Sequence, residues 1–227
     1  MTSFDPTAFT GYLYNSFMLG GIPVTIGLTA ASITGGLILG MIVAAARASG
    51  NLAVTLLAKF YIWLFRGTPL LVQLVVIYTG LPQLGIRLDV LTCALLGLIL
   101  NEAAYLSEIV RSGFMAVPKG QIEAAWAVSL SRRTTFWKVT FPQAFRLMIP
   151  PLGNSVNGLL KATSLASVIS VEEILRRSDL MIQAHYQVLE VYAAATVYYL
   201  LLTSVIELGQ RRLESHFGKS SLPYERH

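Results

Sequence analysis

Residues 17–46 read FMLGGIPVTIGLTAASITGGLILGMIVAAA and contain no Asp, Glu, Lys or Arg. An α-helix needs about 20 predominantly apolar residues to cross the hydrocarbon core of a bilayer, which is about 30 Å thick. The run exceeds that length, so it predicts a first membrane-spanning helix. Gly36 and Gly40 are four residues apart within it, a spacing that lets a second helix approach closely.

The rest of the chain repeats this apolar pattern. Four further segments are long enough to span a membrane: residues 56–81, 90–115, 147–171 and 191–208. The whole sequence is 54% hydrophobic and 13% charged, with a mean hydropathy of +0.61, whereas soluble domains are about 45–50% apolar. We therefore predict an all-α membrane protein with five transmembrane helices. Its single domain covers residues 17–212, between an N-terminal segment of residues 1–16 and a C-terminal tail of residues 213–227.

The basic residues are distributed unevenly between the two sides of these helices. One side carries most of them: Arg47, Lys59, Arg66, Arg111, Lys119, Arg132, Arg133, Lys138, Arg211, Arg212, Lys219 and Arg226. The other side carries only Arg87, Arg176 and Arg177. Cytoplasmic loops of membrane proteins have an excess of Lys and Arg, so the N-terminal segment is predicted to be periplasmic and the tail cytoplasmic. The same rule accounts for the net charge of +5 without nucleic acid as a partner.

A short helix is predicted in the long cytoplasmic loop, residues 117–141. Pro118 can open it, because the missing N–H of proline would be unpaired in a first turn, and Arg132 and Arg133 would close it at the end that favours cations. Between them, small and apolar residues recur near helical spacing: Ile122, Ala125, Trp126, Ser129 and Leu130. Such a helix could dock into the groove of a partner protein or lie flat on lipid headgroups. The periodicity alone does not choose between these two roles.

Two stretches of this loop, GQIEAA at residues 120–125 and FWKVTFPQA at residues 136–144, resemble the EAA loop of importer permeases. In that family the loop forms a coupling helix, here within residues 118–134, that docks into a cleft on a separate ATPase subunit. The resemblance implies that the contact is carried by Gly120, Glu123, Ala124, Ala125 and Ser129. The family usually has a glycine at the position of Ser129 and a leucine at that of Phe141.

Further motifs resemble the polar amino-acid uptake permeases. They are FRGTPLLVQ at residues 65–73, Ala104-Tyr105, Glu108, Arg111, VPKGQ at residues 117–121, PPLGN at residues 150–154 and KATSL at residues 161–165. The resemblance covers nearly the whole chain, about residues 11–214, and implies the fold of a type I ABC importer permease. It also implies a bacterial inner-membrane location within lipid and uptake of a basic, cystine-like or amide amino acid.

The resemblance implies three kinds of protein partner. These are ABC ATPase subunits, a second permease subunit in a homodimer or heterodimer, and a periplasmic or surface solute-binding protein. Gly218-Lys219-Ser220 resembles the end of a phosphate loop, but Leu213 stands where such a loop has its first glycine. No nucleotide site is therefore predicted in this chain, and ATP is expected to bind the separate ATPase subunit. No cofactor, metal or enzyme activity is predicted for this chain. The alternative, a non-ABC ion channel or membrane signalling protein, does not account for these motifs.

Polar residues within the predicted spans are candidates for a substrate pathway. Four of them share one face of the fourth span: Asn154, Asn157, Lys161 and Ser164. They could line a pathway in which Lys161 attracts a carboxylate, or they could hold helix or subunit contacts. Glu102 in the third span could receive an ammonium or guanidinium group, or it could pair with Lys161. Relatives often carry an aspartate where this chain has Ala162.

Two local features have a predicted mechanical role. Pro69 disfavours helical geometry at Thr68, and Gly67 adds flexibility, so the second span should bend there, either as a gating hinge or as a static kink. Glu108 and Arg111 are three residues apart and can pair along one helix face. This pair is predicted to brace the cytoplasmic end of the third span.

Overall fold

The structure, a computed structural model, describes residues 4–218, and this part of the chain is helical with no β-strand. Its helices are α1 Pro6–Leu13, α2 Ser16–Leu19, α3 Gly21–Arg47, α4 Leu52–Gly67, α5 Leu70–Gln83, α6 Val90–Met115, α7 Lys119–Ala127, α8 Arg132–Thr135, a π-helical turn Phe136–Thr140, α9 Phe141–Ala162, a 3-10 helix Thr163–Ile169, α10 Ile174–His185 and α11 Val188–Gly218. Lys219, Ser220 and Arg226, which entered the predictions on charge and on the phosphate loop, lie outside the described residues.

Three helical stretches of the described chain are individually long and apolar enough to cross a membrane: residues 16–47, 90–115 and 188–217. A fourth span results if α4 and α5 are counted as one broken helix. The predicted fourth span, residues 147–171, corresponds to α9 with the following 3-10 helix and does not reach the same hydropathy. The count of five spans and the orientation of the termini therefore stay predictions.

Helix α6 is the centre of the bundle and packs against α3, α4, α5 and α9. Its contact with α3 is close because two glycines of α3 face it. A Cβ on Gly36 would lie 3.1 Å from the Cβ of Glu102, and one on Gly40 would lie 3.0 Å from the carbonyl oxygen of Ala103. The spacing of Gly36 and Gly40 thus serves the helix packing that the sequence predicts.

The predicted second span is broken where the sequence predicts a bend. Helix α4 ends at Gly67 and α5 begins at Leu70, with an angle of 103° between their directions. Thr68 and Pro69 between them have extended backbone conformations. The break follows from the proline, which excludes helical geometry at the preceding residue.

The N-terminal segment packs along the start of α11. The hydroxyl of Tyr198 donates to the carbonyl oxygen of Tyr12 at 2.9 Å, and the hydroxyl of Tyr12 donates to Gln187 at 2.5 Å. The backbone N–H of Asp5 donates to the buried carboxylate of Glu190 at 2.9 Å. Helix α1 is therefore part of the folded domain, although it precedes the predicted domain boundary at residue 17.

Helix boundaries differ from the sequence prediction at two places besides the broken span. Helix α11 continues to Gly218, so residues 213–218 extend the last helix instead of beginning the predicted tail. Helix α10 was not predicted, because its mean hydropathy is low and it lies between two apolar segments. Glu173 begins it, accepting a hydrogen bond from the backbone N–H of Arg176 at 2.8 Å.

Candidate functional site

The predicted coupling helix is present as α7, a nine-residue helix that begins directly after Pro118. Ala125 is buried and faces the protein, whereas Glu123 and Ala124 are exposed, and Trp126 exposes 53% of its surface. Only the exposed part of the predicted contact set is therefore available to another protein. A short helix with an exposed acidic, small and aromatic surface fits docking into a partner's cleft.

A tight turn ends α7 at Ala127. Ser129 has a left-handed backbone with φ of 60°, the conformation that favours glycine, and this is the position where the family usually has glycine. The N–H of Leu130 donates to the oxygen of Ala125 at 3.1 Å, and the N–H of Ser129 donates to that of Trp126 at 2.9 Å. These two bonds form a Schellman motif. Arg132 therefore does not close α7, contrary to the sequence prediction: with Arg133 it begins α8, which Ser131 caps.

Helix α7 is connected to both α6 and α9 at their neighbouring ends. A Cβ on Gly113 of α6 would lie 3.2 Å from the carbonyl oxygen of Ala144 in α9, so the two helices approach closely there. The rings of Phe114 and Phe136 stack with centroids 5.7 Å apart, and Phe136 also contacts Phe141 at 6.2 Å. Helix α7 packs against the π-helical turn, and this turn contacts both α6 and α9.

Three of the predicted pathway residues, Asn154, Asn157 and Lys161, lie on one face of α9, whereas the fourth lies beyond its end. Helix α9 ends at Ala162, and Ser164 lies in the following 3-10 helix, where its hydroxyl donates to the carbonyl oxygen of Lys161. Asn154 is exposed. The side-chain oxygen of Asn157 is buried without a hydrogen-bond partner.

Glu102 does not pair with Lys161, which corrects one of the two roles proposed for it. Its side chain is buried, with Cβ and Cγ facing Gly36 of α3, and its carboxylate accepts a hydrogen bond from Ser155 of α9. Lys161 is exposed and forms no ion pair with another residue of the 4–218 range. No salt bridge within residues 4–218 involves Glu102, although a buried carboxylate in a membrane commonly has a charged partner.

A cavity of about 470 Å³ lies between α4, α6 and α9. It is lined by Arg66, Tyr105, Glu108, Ile109, Ser112, Pro151, Asn154 and Ser155. The lining therefore joins Asn154, a predicted pathway residue, to Ser155, the partner of Glu102. The motif resemblance included Arg66 and Tyr105, but neither was predicted as a site residue, since only the folded chain brings α4 beside α6.

The predicted pair of Glu108 and Arg111 is present and has a third member. Arg111 donates to one carboxylate oxygen of Glu108 at 2.8 Å, and Arg47 pairs with the other oxygen. Arg47 is the last residue of α3, so the cluster ties the end of α3 to α6. Sequence spacing revealed the i, i+3 pair but gave no signal for Arg47, which lies 61 positions before Glu108.

Two side-chain amides close the break between α4 and α5. The amide nitrogen of Gln73 donates to the carbonyl oxygens of Phe65 at 2.9 Å and Thr68 at 3.1 Å. Asn101 of α6 donates to the oxygen of Phe65 and to the side-chain oxygen of Gln73, both at 3.1 Å. A broken helix leaves backbone carbonyls without partners, and these must be satisfied where water is scarce. We call Gln73 and Asn101 the amide clasp.

The chain matches a family model described as the binding-protein-dependent transport system inner membrane component, over residues 36–219. The chain belongs to this family. It is therefore the membrane component of a transport system that works with separate subunits, and the alternative of a non-ABC channel or signalling protein is wrong.

Relatives of this transport component carry amino-acid names. The arginine transport system permease protein ArgU of Corynebacterium glutamicum is 37% identical, over 94% of this chain and 72% of the relative. The octopine transport system permease protein OccM of Rhizobium radiobacter is 40% identical over 89% and 86%, respectively. The glutamine transport system permease protein GlnP of Escherichia coli K12 is 36% identical over 87% and 91%.

Solved structures have the same fold as this transport component. A chain in the crystal structure of an amino acid ABC transporter with histidines superimposes with a TM-score of 0.89 and 31% identity, covering 95% of this chain and 100% of the other. A chain of the inward-facing MetNI methionine ABC transporter superimposes with a TM-score of 0.71 at 18% identity, covering 88% and 96%. The fold is that of a type I ABC importer permease, as the motifs predict.

Proposed function

We propose that this chain is the permease subunit of an ATP-driven importer that moves a polar amino acid across the inner membrane of a bacterium. The observation that carries the proposal is α7, a short helix that follows α6 in the chain, leaves Glu123 and Ala124 exposed and packs against the π-helical turn before α9. Arginine, octopine and glutamine in the names of relatives support the substrate class. Basic, cystine-like and amide amino acids all belong to it.

In this proposal the energy comes from ATP hydrolysed on partner subunits. Closure of the ATPases moves α7, the aromatic contact between Phe114 and Phe136 carries the movement to α6 and α9, and the cavity between these helices changes its access. The break at Gly67, Thr68 and Pro69 provides the hinge for this movement. A solute-binding protein delivers the amino acid from outside.

The proposed membrane arrangement has five spans, with the N-terminus outside and the C-terminus in the cytoplasm. The spans are α2 with α3, the bent pair of α4 and α5, α6, α9 with the 3-10 helix, and α11. Two permease subunits together, as a homodimer or heterodimer, surround the pathway, since a closed two-fold assembly is the commonest arrangement for such subunits.

Within each subunit the proposed pathway runs past Glu102, Asn154 and Asn157 toward Lys161 and Ser164. Glu102, which accepts a hydrogen bond from Ser155, would receive the positive group of the substrate. Asn157, with its unpartnered oxygen, could accept a second hydrogen bond from it. These groups together match a zwitterion that carries a polar side chain.

The test of the coupling helix is ATP hydrolysis by the complex in lipid with Glu123→Arg. We expect hydrolysis or assembly to collapse, because the substitution reverses the charge of the exposed surface of α7. The matched control is Glu172→Arg, an exposed carboxylate near the opposite end of α6, which should leave hydrolysis unchanged. Normal assembly and hydrolysis with Glu123→Arg would show that α7 is not the contact.

A further inference from the structure

Arg66 is a charged side chain in the cavity that no ion pair of the described chain neutralises. It lies in the last turn of α4, and its guanidinium is 5.3 Å from the centre of the Tyr105 ring. The other two arginines near this end of α6, Arg47 and Arg111, are both bound to Glu108. Arg66 is exposed, so its guanidinium is open to a ligand that enters the cavity.

The amide clasp hydrogen-bonds the backbone next to Arg66 in this conformation. The carbonyl oxygen of Phe65 accepts hydrogen bonds from both Gln73 and Asn101, at 2.9 and 3.1 Å. Both clasp residues are 9% exposed, so water competes little for these bonds. The end of α4 is therefore fixed to α6, and the guanidinium is positioned over Tyr105 although α4 stops one residue later.

We propose that Arg66 binds the carboxylate of the transported amino acid inside the cavity, and that Gln73 and Asn101 position it. The guanidinium presents a planar set of donors that matches a carboxylate in a bidentate pair. Asn154 and Ser155 line the same cavity and offer hydrogen-bonding groups to the rest of the ligand. This inference rests on the proposed function.

The carboxylate is common to all amino acids, whereas the side chain differs. Arg66 therefore selects the class of substrate, and the residues beyond it select the individual amino acid. The cavity volume of about 470 Å³ accommodates a single amino acid with its first waters. A phosphate group of a lipid would present the same chemistry to Arg66, and the experiment must distinguish the two.

The experiment measures direct binding to the purified permease–ATPase complex in nanodiscs, without the solute-binding protein. Tritiated L-arginine, L-glutamine and L-cystine are first tested for uptake by the wild-type importer, and the one transported is compared with its carboxamide. We expect wild type to prefer the amino acid. Arg66→Gln should weaken binding of the amino acid by about tenfold to a hundredfold, the loss expected for a charge-assisted pair, and leave the carboxamide unaffected.

Three further variants separate a binding role from a structural one. Lys59→Gln removes a cation from the exposed surface of the same helix and should retain the wild-type preference. Arg66→Lys, which keeps the charge without the planar fork, should bind with intermediate strength and serves if Arg66→Gln does not assemble. Gln73→Leu should weaken binding less than Arg66→Gln, and the double variant should be no weaker than Arg66→Gln alone, since positioning is lost with the group positioned.

The outcomes distinguish this inference from the function on which it rests. If wild type transports none of the amino acids, the proposed function fails. If wild type transports one and Arg66→Gln keeps the preference for it over the carboxamide, Arg66 is not the carboxylate site. If Arg66→Gln changes only the dependence of ATP hydrolysis on phosphatidylglycerol in the nanodisc, the anion is a lipid headgroup and the assignment to substrate is overturned.

Discussion

Ser129 has a left-handed backbone conformation, which is unfavourable for a residue with a Cβ. A non-glycine residue in the left-handed region costs about 1–2 kcal/mol, and glycine at φ of 60° avoids this cost but adds flexibility to the unfolded chain. We expect Ser129→Gly to raise the free energy of unfolding by about 0.5–1 kcal/mol, and the melting temperature by about 2–4 °C per kcal/mol. Thermal unfolding in detergent measures it.

Ser170 provides the control for Ser129. It also has a left-handed backbone, with φ of 71°, in the turn after the 3-10 helix and away from α7. Ser170→Gly should stabilise the protein by a similar amount and leave ATP hydrolysis as it is. A lower melting temperature for Ser129→Gly would mean that the turn after α7 is not left-handed in solution.

Glu173 is buried in the turn between the 3-10 helix and α10, outside the proposed spans, where Tyr199 donates a hydrogen bond to it at 2.7 Å. Burial raises the pKa of its carboxyl above the ordinary value of 4.5, and Asp179 adds to the effect. The folded state therefore holds the proton more tightly than the unfolded state, so this group's stabilisation is lost as pH rises from 4.5 through the raised pKa.

Glu173→Gln is expected to abolish the decrease in stability that ionisation of Glu173 causes as pH rises, since the amide is neutral at every pH. Its melting temperature should exceed that of wild type most at pH 8, and the difference should vanish toward pH 4.5. Melting curves across this range test the expectation. A difference that grew toward acid pH would contradict the sign.

At the scale of elements, the packing of α3 on α6 depends on the two glycines. A Cβ on Gly40 would lie 3.0 Å from a backbone oxygen and 3.1 Å from the Cβ of Leu106, and neither atom can move without moving α6. We expect Gly40→Ala to destabilise the protein by about 1–3 kcal/mol. Gly27→Ala on the same helix meets nothing within 4 Å and should be neutral or stabilising, because alanine favours helix. Equal melting temperatures for the two variants would contradict this packing.

Elements and contacts differ in how far the sequence predicts them. The apolar run of α3, the proline-induced break and the i, i+3 pair of Glu108 with Arg111 follow from local chemistry, and the structure contains all three. The amide clasp joins residues 28 positions apart, and such partners are selected by tertiary packing alone. Helix α10 is polar on average, so a search for long apolar segments does not identify it. The alternative of a Glu102–Lys161 pair is wrong because the orientation of α9 places Ser155, not Lys161, at Glu102.

The whole molecule raises one question of topology, which is whether α9 crosses the membrane. Its 22 residues extend about 33 Å at 1.5 Å per residue, enough for a bilayer core of about 30 Å. Its polar residues lower its hydropathy, yet Asn154 and Ser155 line the cavity and do not need to face lipid. A span that lines a polar pathway must be less apolar than one surrounded by lipid. The low hydropathy is therefore consistent with a fifth span.

Cysteine labelling decides this, because Cys93 is the only native cysteine and Cys93→Ala gives a clean background. Val128, 70% exposed after α7, and Tyr186, 87% exposed before α11, lie on either side of α9. A membrane-impermeant maleimide should label Tyr186→Cys in intact cells. It should label Val128→Cys only after the cells are permeabilised. Labelling of both positions in intact cells, or of neither, would place them on one side of the membrane. Helix α9 would then be a re-entrant element and the five-span arrangement would be wrong.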